Sequence, residues 1–356
     1  MSAKKIYEEQ TDASLFDPQI RTRAMPKVGV LVVNLGTPAT TSPQDIRRYL
    51  GQFLSDQRVI ELPPALWQII LRGFILPFRP RKLSPKYESI WMEGGSPLLV
   101  YSQAQTDGIQ QKLQDKGYDI PVRLAMRYGE PAMHDVLHEL TTLGCERILM
   151  VPLYPQYAAS TTATAVDELN RYLAKRRNQP ETRSIKSYAQ HEGYIQPFVQ
   201  SVLRHWKTHE KPQRLLLSFH GLPRRCIDKG DPYYRDCMLT TAAVREALAD
   251  QDVPVFATFQ SRFGAEKWIE PYTEPTLRQW AKEGLKSVHV ACPGFLADCL
   301  ETLEEIQMEC RDAFLEEGGT QFSYIPCLND DPAWIDGLCD IVLQNLSGWE
   351  LPALEK

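Results

Sequence analysis

No two of the eight cysteines, at 145, 226, 237, 292, 299, 310, 327 and 339, stand at CxxC spacing. A structural zinc or an iron–sulfur cluster normally shows at least one close pair of thiolates, so neither centre is expected and no tightly bound cofactor is called for. Basic excess is missing too. With 45 acids against 40 Lys and Arg, a net charge of −5 gives no reason to expect nucleic acid as a partner. No apolar run is long enough to span a bilayer: the most apolar stretch, Ala65 to Phe78 (ALWQIILRGFILPF), is broken by Gln68, Arg72 and Gly73. Residues 1–25 lack the apolar core of a secretory signal and read as a flexible tail. Reduced thiols and a cytoplasmic location follow as the expectation.

Common nucleotide and hydrolase signatures are absent as well. The first strand candidate ends in NLGTP, with one glycine where a dinucleotide fingerprint has three, and there is no GxxxxGK[ST] loop and no GxSxG elbow.

What is present is an α/β pattern. At 356 residues and 43% hydrophobic the chain buries a sizeable core, and its length suits two domains. Short β-rich runs alternate with stretches of helical period. The strand candidates are Val28–Leu35, Val122–Arg127, Arg147–Pro152 and Ser184–Tyr188, then Arg214–Phe219, Val253–Phe259, Ser287–Cys292 and Phe322–Pro326. These two sets of four resemble each other: KVGVLVVNLGTP (27–38) parallels QRLLLSFHGLP (213–223), and LGCERILMVPLYPQ (143–156) parallels EGLKSVHVACPGFL (283–296). A duplicated half-fold explains both. In such sheets ligands bind beyond the carboxyl ends of the strands, where strand order reverses.

Chemistry-bearing residues follow the strands. His220 ends the apolar run LLLSF and precedes Gly221-Leu222-Pro223, so its imidazole is expected at the cleft; packing at a strand end is the plainer alternative. In PGFLADCLETLEEIQMEC (293–310), Asp298, Glu301, Glu305 and Glu309 recur at spacings of three, four and four, which lines one face of a helix. That stripe is either solvated surface or a path for a cation. If the second sheet runs 2-1-3-4, His220 and Glu301 share one small volume. Their donor set, nitrogen with carboxylate oxygen and open positions, suits transient binding of a divalent metal.

RYGEP (127–131) and QSRFG (260–264), the latter leading to Trp268, each place a cation beside aromatic surface. Arg127 and Arg262 are either salt-bridged or free to bind ligand carboxylates, with Tyr128 and Trp268 as flat contacts. Tyr154 and Tyr157 are divided between core and cleft. The segment 63–82 reads as a core helix or as an amphipathic lip, with Arg79, Arg81 and Lys82 able to meet anionic headgroups.

Taken together, LVVNLGTP, GSPL (95–98), RYGEP, YPQY, SFHGLP, GDPY (230–233), FQSRFG and FLADCLETLEE resemble the ferrochelatase family, in order, from about Val28 to Asp331. The resemblance implies two Rossmann-like, chelatase-type domains, each a four-stranded parallel sheet flanked by helices, around a porphyrin cleft. The first is expected to comprise 26–178 with 331–350, its last helix returning from the far end of the chain, and the second 179–330. By motif, His220 and Glu301 match the active-site pair commonly assigned to iron, and Glu305 and Glu309 match the acidic chain behind them. Leu35, Arg127, Tyr128, Ser261 and Trp268 match porphyrin-contact positions. Cys299 stands where animal members carry a second histidine, and no cysteine-rich extension follows Leu346, which argues against a [2Fe–2S] cluster and points to the Gram-negative bacterial type.

The activity so implied is insertion of ferrous iron, as substrate, into protoporphyrin IX to give protohaem and two protons, the terminal step of haem biosynthesis. His220 is either proton acceptor or iron ligand. A monomer with a peripheral contact to the inner membrane is expected. The alternatives are a coproporphyrin ferrochelatase or other tetrapyrrole chelatase, and a two-domain ligand-binding protein without chemistry.

Overall fold

The computed structural model describes residues 26–354; the expected tail, residues 1–25, lies outside the described residues. Eight strands form two parallel sheets: β1 Lys27–Gly36, β2 Val122–Tyr128, β3 Cys145–Pro152 and β4 Glu181–Ser184, then β5 Arg214–His220, β6 Val255–Gln260, β7 Ser287–Ala291 and β8 Gln321–Ile325. Their orders are β2-β1-β3-β4 and β6-β5-β7-β8, the same 2-1-3-4 arrangement twice. The central strands read as near-continuous apolar runs because helices cover both faces. In β1, Val28, Val30 and Val32 join one cluster while Leu31 and Val33 join another on the opposite face.

Two expectations move. The fourth strand lies at Glu181–Ser184 rather than Ser184–Tyr188, pairing Arg147 with Glu181 and Met150 with Ser184. Its polar sequence ETRS is an edge strand with only partial burial, so apolar periodicity points past it to the buried Tyr188. Since β4 belongs to the first sheet, that sheet extends beyond the boundary expected at residue 178.

The halves share one core. Leu149 and Val151 of the first sheet and Leu217 and Phe219 of the second meet in a single cluster around Tyr194 and Trp334. The last helix, Pro332–Asn345, joins both sides: Ile335 packs over Gly108, and Gly337 presses backbone to backbone on Gly193, where a Cβ would stand 1.8 Å from the carbonyl oxygen. The segment 63–82 is the helix Pro64–Ile70, a wider π-helical turn Leu71–Ile75, and the start of helix Leu76–Ile90. Trp67, Leu71 and Leu76 turn inward while Leu66, Ile69, Phe74 and Phe78 are exposed. No helix of the described residues is long and apolar enough to cross a membrane.

Candidate active site

His220 is the last residue of β5 and pairs in register with Gln260, the last of β6. β5 lies between β6 and β7, and the switch point of the 2-1-3-4 sheet, where chain ends open a crevice, falls between β5 and β7. The glycine of the HGLP turn is required by packing: a Cβ on Gly221 would lie 2.8 Å from the Gln260 carbonyl and 3.1 Å from the Trp268 ring. His220 Nδ1–H donates to the Gly221 carbonyl oxygen at 2.7 Å. A carbonyl only accepts, so the neutral ring keeps its lone pair on Nε2. That nitrogen is available for a proton or a metal.

The acidic segment is a π-helix, Glu301–Cys310, whose main-chain bonds run from i to i+5. Gln260 Nε2 donates to the Glu301 carbonyl at 2.7 Å, which fastens the start of this helix beside His220. Glu305 is held by the Ser261 N–H at 2.6 Å and the Ser261 hydroxyl at 2.5 Å. Burial raises the Glu305 pKa, Ser261 and the neighbouring His220 work to lower it, and Glu301 adds to the rise. Glu305 is therefore the electrostatic neighbour of both His220 and Glu301.

Glu301 also reaches the other half of the molecule. Its charge acts on Tyr49, Tyr87 and Arg79 of the first half and on Cys299 of the second. Burial drives the Cys299 thiol well up, with Glu301 adding to it, so this sulfur is held protonated. Leu35 and Leu300 meet in the same apolar cluster as Tyr49, Trp67 and Tyr87, which forms the wall between the halves.

The structure gives several sequence candidates different partners. Asp298 is not part of the stripe: it precedes the helix, is buried, and accepts hydrogen bonds from Thr302 (2.9 Å), Tyr324 (2.6 Å) and Asn329 (2.7 Å). Arg127 lies on β2 with its guanidinium committed, donating to Asp56 at 2.6 Å and to Thr164 Oγ1 at 2.8 Å. The Tyr128 hydroxyl donates to the same Asp56 at 2.9 Å, and its ring is 2% exposed. Neither therefore offers a free group to a ligand in this conformation. Ser261, at φ 64°, occupies the left-handed region that costs a side chain about 1 kcal/mol, with both of its donors on Glu305. Trp268 packs against Gly221 with its indole N–H buried and unpaired. Arg262 stacks over Tyr272 at 4.8 Å.

Two residues were not singled out for this site by sequence reasoning. Arg79 projects from the lip over the Phe263 ring at 4.7 Å; burial lowers its pKa, and among the described residues no carboxylate lies within ion-pair distance of it. Glu304 faces Lys86 and was hidden by an α-helical period. A cavity of about 420 Å³ lies elsewhere, lined by Lys186, Tyr188, His191 and Asp236.

A ferrochelatase family model matches residues 27–346. The chain belongs to the ferrochelatase family. Ferrochelatases of Bordetella pertussis and Bordetella bronchiseptica are each 55% identical to it over 323 residues, 91% of this chain and 89% of theirs. Membership makes the chain an enzyme, a metal chelatase of the lyase class. Among solved structures, SirB from Bacillus subtilis with Fe3+ superposes with a TM-score of 0.55 at 13% identity, covering 90% of this chain and 96% of that one. DR2241 from Deinococcus radiodurans gives 0.51 at 12% identity, over 91% of this chain and 55% of that one. These two likenesses concern the fold.

Proposed function

We propose that this ferrochelatase-family enzyme inserts ferrous iron into protoporphyrin IX, forming protohaem and releasing two protons, at the cleft between its halves, and so performs the terminal step of haem biosynthesis. The observation that carries this reading is the tautomer of His220: with Nδ1–H tied to the Gly221 carbonyl, Nε2 is left as a base or ligand, and Glu305 lies in the field of His220 and of Glu301. Charge balance requires two protons to leave as one dication enters. His220 accepts a pyrrole proton, and the carboxylates of Glu301, Glu305 and Glu309 lead the metal in or the protons out.

Leu35 and Trp268 supply apolar surface for the ring. Ser261 acts on the ring's surroundings through Glu305, and Arg127 and Tyr128 act as a buried support beneath the cleft. Carboxylate recognition falls to Arg79, which among the described residues has no acid within ion-pair distance. The exposed Leu66, Ile69, Phe74 and Phe78 form a lip that meets the hydrophobic substrate and touches the cytoplasmic face of the inner membrane peripherally. The chain works as a cytoplasmic monomer with no tightly bound cofactor and no iron–sulfur cluster.

The test is anaerobic metal insertion followed by loss of porphyrin fluorescence, with protoporphyrin IX and coproporphyrin in competition. Preferential turnover of protoporphyrin supports the reading. Turnover of coproporphyrin alone would move the substrate assignment while leaving the site intact.

A further inference from the structure

Lys86 projects from the helix Leu76–Ile90 of the first half onto the π-helix of the second. Its Nζ lies 2.8 Å from Glu304 Oε1 and 2.8 Å from Glu309 Oε1. In an α-helix residues five apart point to different sides; the i to i+5 winding here brings Glu304 and Glu309 together on one ammonium. The three side chains are unequally exposed, Glu304 at 13%, Lys86 at 37% and Glu309 at 56%. Burial alone would depress the lysine, yet the two carboxylates more than offset it and its pKa is raised. The feature is thus a cation already seated between two carboxylates, supplied by the opposite half of the protein.

We propose that Lys86 is a tethered counter-cation that competes with divalent metal for Glu304 and Glu309. The inference rests on the reading above that the acidic face of this helix receives the substrate metal. Two carboxylates with one ammonium leave one negative charge, enough to attract a dication but not to hold it without displacing Lys86. Once displaced, the ammonium stays within reach and returns as the metal moves inward to Glu305 and Glu301. Hard dications bind carboxylate oxygens directly, so ammonium and metal exclude each other. Lys86 thereby favours hand-over above retention.

The test compares Lys86→Gln, Lys86→Arg and the double variant Lys86→Gln/Glu309→Gln with the full-length wild type. Zinc binding is measured by calorimetry without porphyrin, alongside the KM values for zinc and for porphyrin. Lys86→Gln is expected to bind zinc about fivefold more tightly, the scale set by losing two partly exposed ion pairs. Lys86→Arg should restore wild-type affinity, and the double variant should cancel the gain. A lower zinc KM with an unchanged porphyrin KM completes the expected pattern. Unaltered zinc affinity in Lys86→Gln overturns the proposal, and so does a rise in porphyrin KM alone, which marks a mere strap between the halves. If zinc binding tightens through Glu309 while the zinc KM stays put, Lys86 competes as proposed, and the route of metal across these carboxylates is the claim that fails.

Discussion

Ser261 and Glu305 are joined twice, by the Ser261 amide and by its hydroxyl, across the gap between the end of β6 and the π-helix. This pairing bears on the charge of Glu305, a carboxylate in the field of His220. Burial raises the Glu305 pKa and the two serine donors lower it, because hydrogen bonds to the charged form favour that form.

Ser261→Ala removes the hydroxyl and keeps the amide. The Glu305 pKa should then climb further, so a smaller fraction is ionised at a given pH. The acid limb of the pH profile of the metal KM is expected to move to higher pH, with little change at its alkaline end. An unchanged limb would mean that Glu305 ionisation does not govern metal uptake.

Arg127 and Arg79 should separate cleanly on substitution. Arg127→Met strips a partly buried Asp56 of its cation and is expected to cost about 2 kcal/mol of stability, read as a lower denaturant midpoint. Arg79→Met leaves no acid unpaired among the described residues and should hold its midpoint while raising the porphyrin KM several-fold. The reverse pattern would return ligand recognition to Arg127.

Much of this was legible in the chain. Seven strands stand within two residues of their sequence bounds, because sheets covered on both faces need unbroken apolar runs. The 2-1-3-4 order of the second sheet enters the sequence reading only as the condition under which His220 and Glu301 share one volume, and both sheets have that order. What escaped depended on partners remote in sequence or on unusual winding. Arg127 stays undecided between a salt bridge and a free group because its partner Asp56 stands 71 residues away. Glu304 falls off the stripe that an α-helical period draws, and only the π-helical winding brings it beside Glu309. Asp298 fitted the stripe numerically, yet its oxygens belong to Tyr324 and Asn329. Polar ETRS gave no apolar signal for an edge strand.

Away from the cleft, His205, His209 and His289 crowd together, with the first two rings stacked at 3.9 Å. Burial, then the neighbouring imidazoles, lowers His205 and His289 to about 4. For a base whose folded pKa is depressed, the stabilising contribution is full above the unfolded value near 6.5 and is lost as pH falls towards 4. The melting temperature should therefore drop across that window. His289→Asn, which keeps an acceptor for the Trp206 N–H, should flatten the drop; an equally steep fall would remove these rings as its cause.

The contact of Gly193 with Gly337 leaves no room for a methyl group. Gly337→Ala must push apart the helices that tie the last segment to the body of the protein, at about 3 kcal/mol. Chemical denaturation checks this. A neutral substitution would show that the two helices separate without cost.

The most direct test of the account is His220→Ala, read by two measurements on the same preparation: anaerobic insertion of ferrous iron into protoporphyrin IX, and porphyrin affinity from fluorescence without metal. Insertion should vanish while porphyrin affinity stays within a few-fold of wild type. Retained insertion, or loss of porphyrin binding in parallel with activity, would contradict a proton-accepting or metal-binding Nε2 at the end of β5.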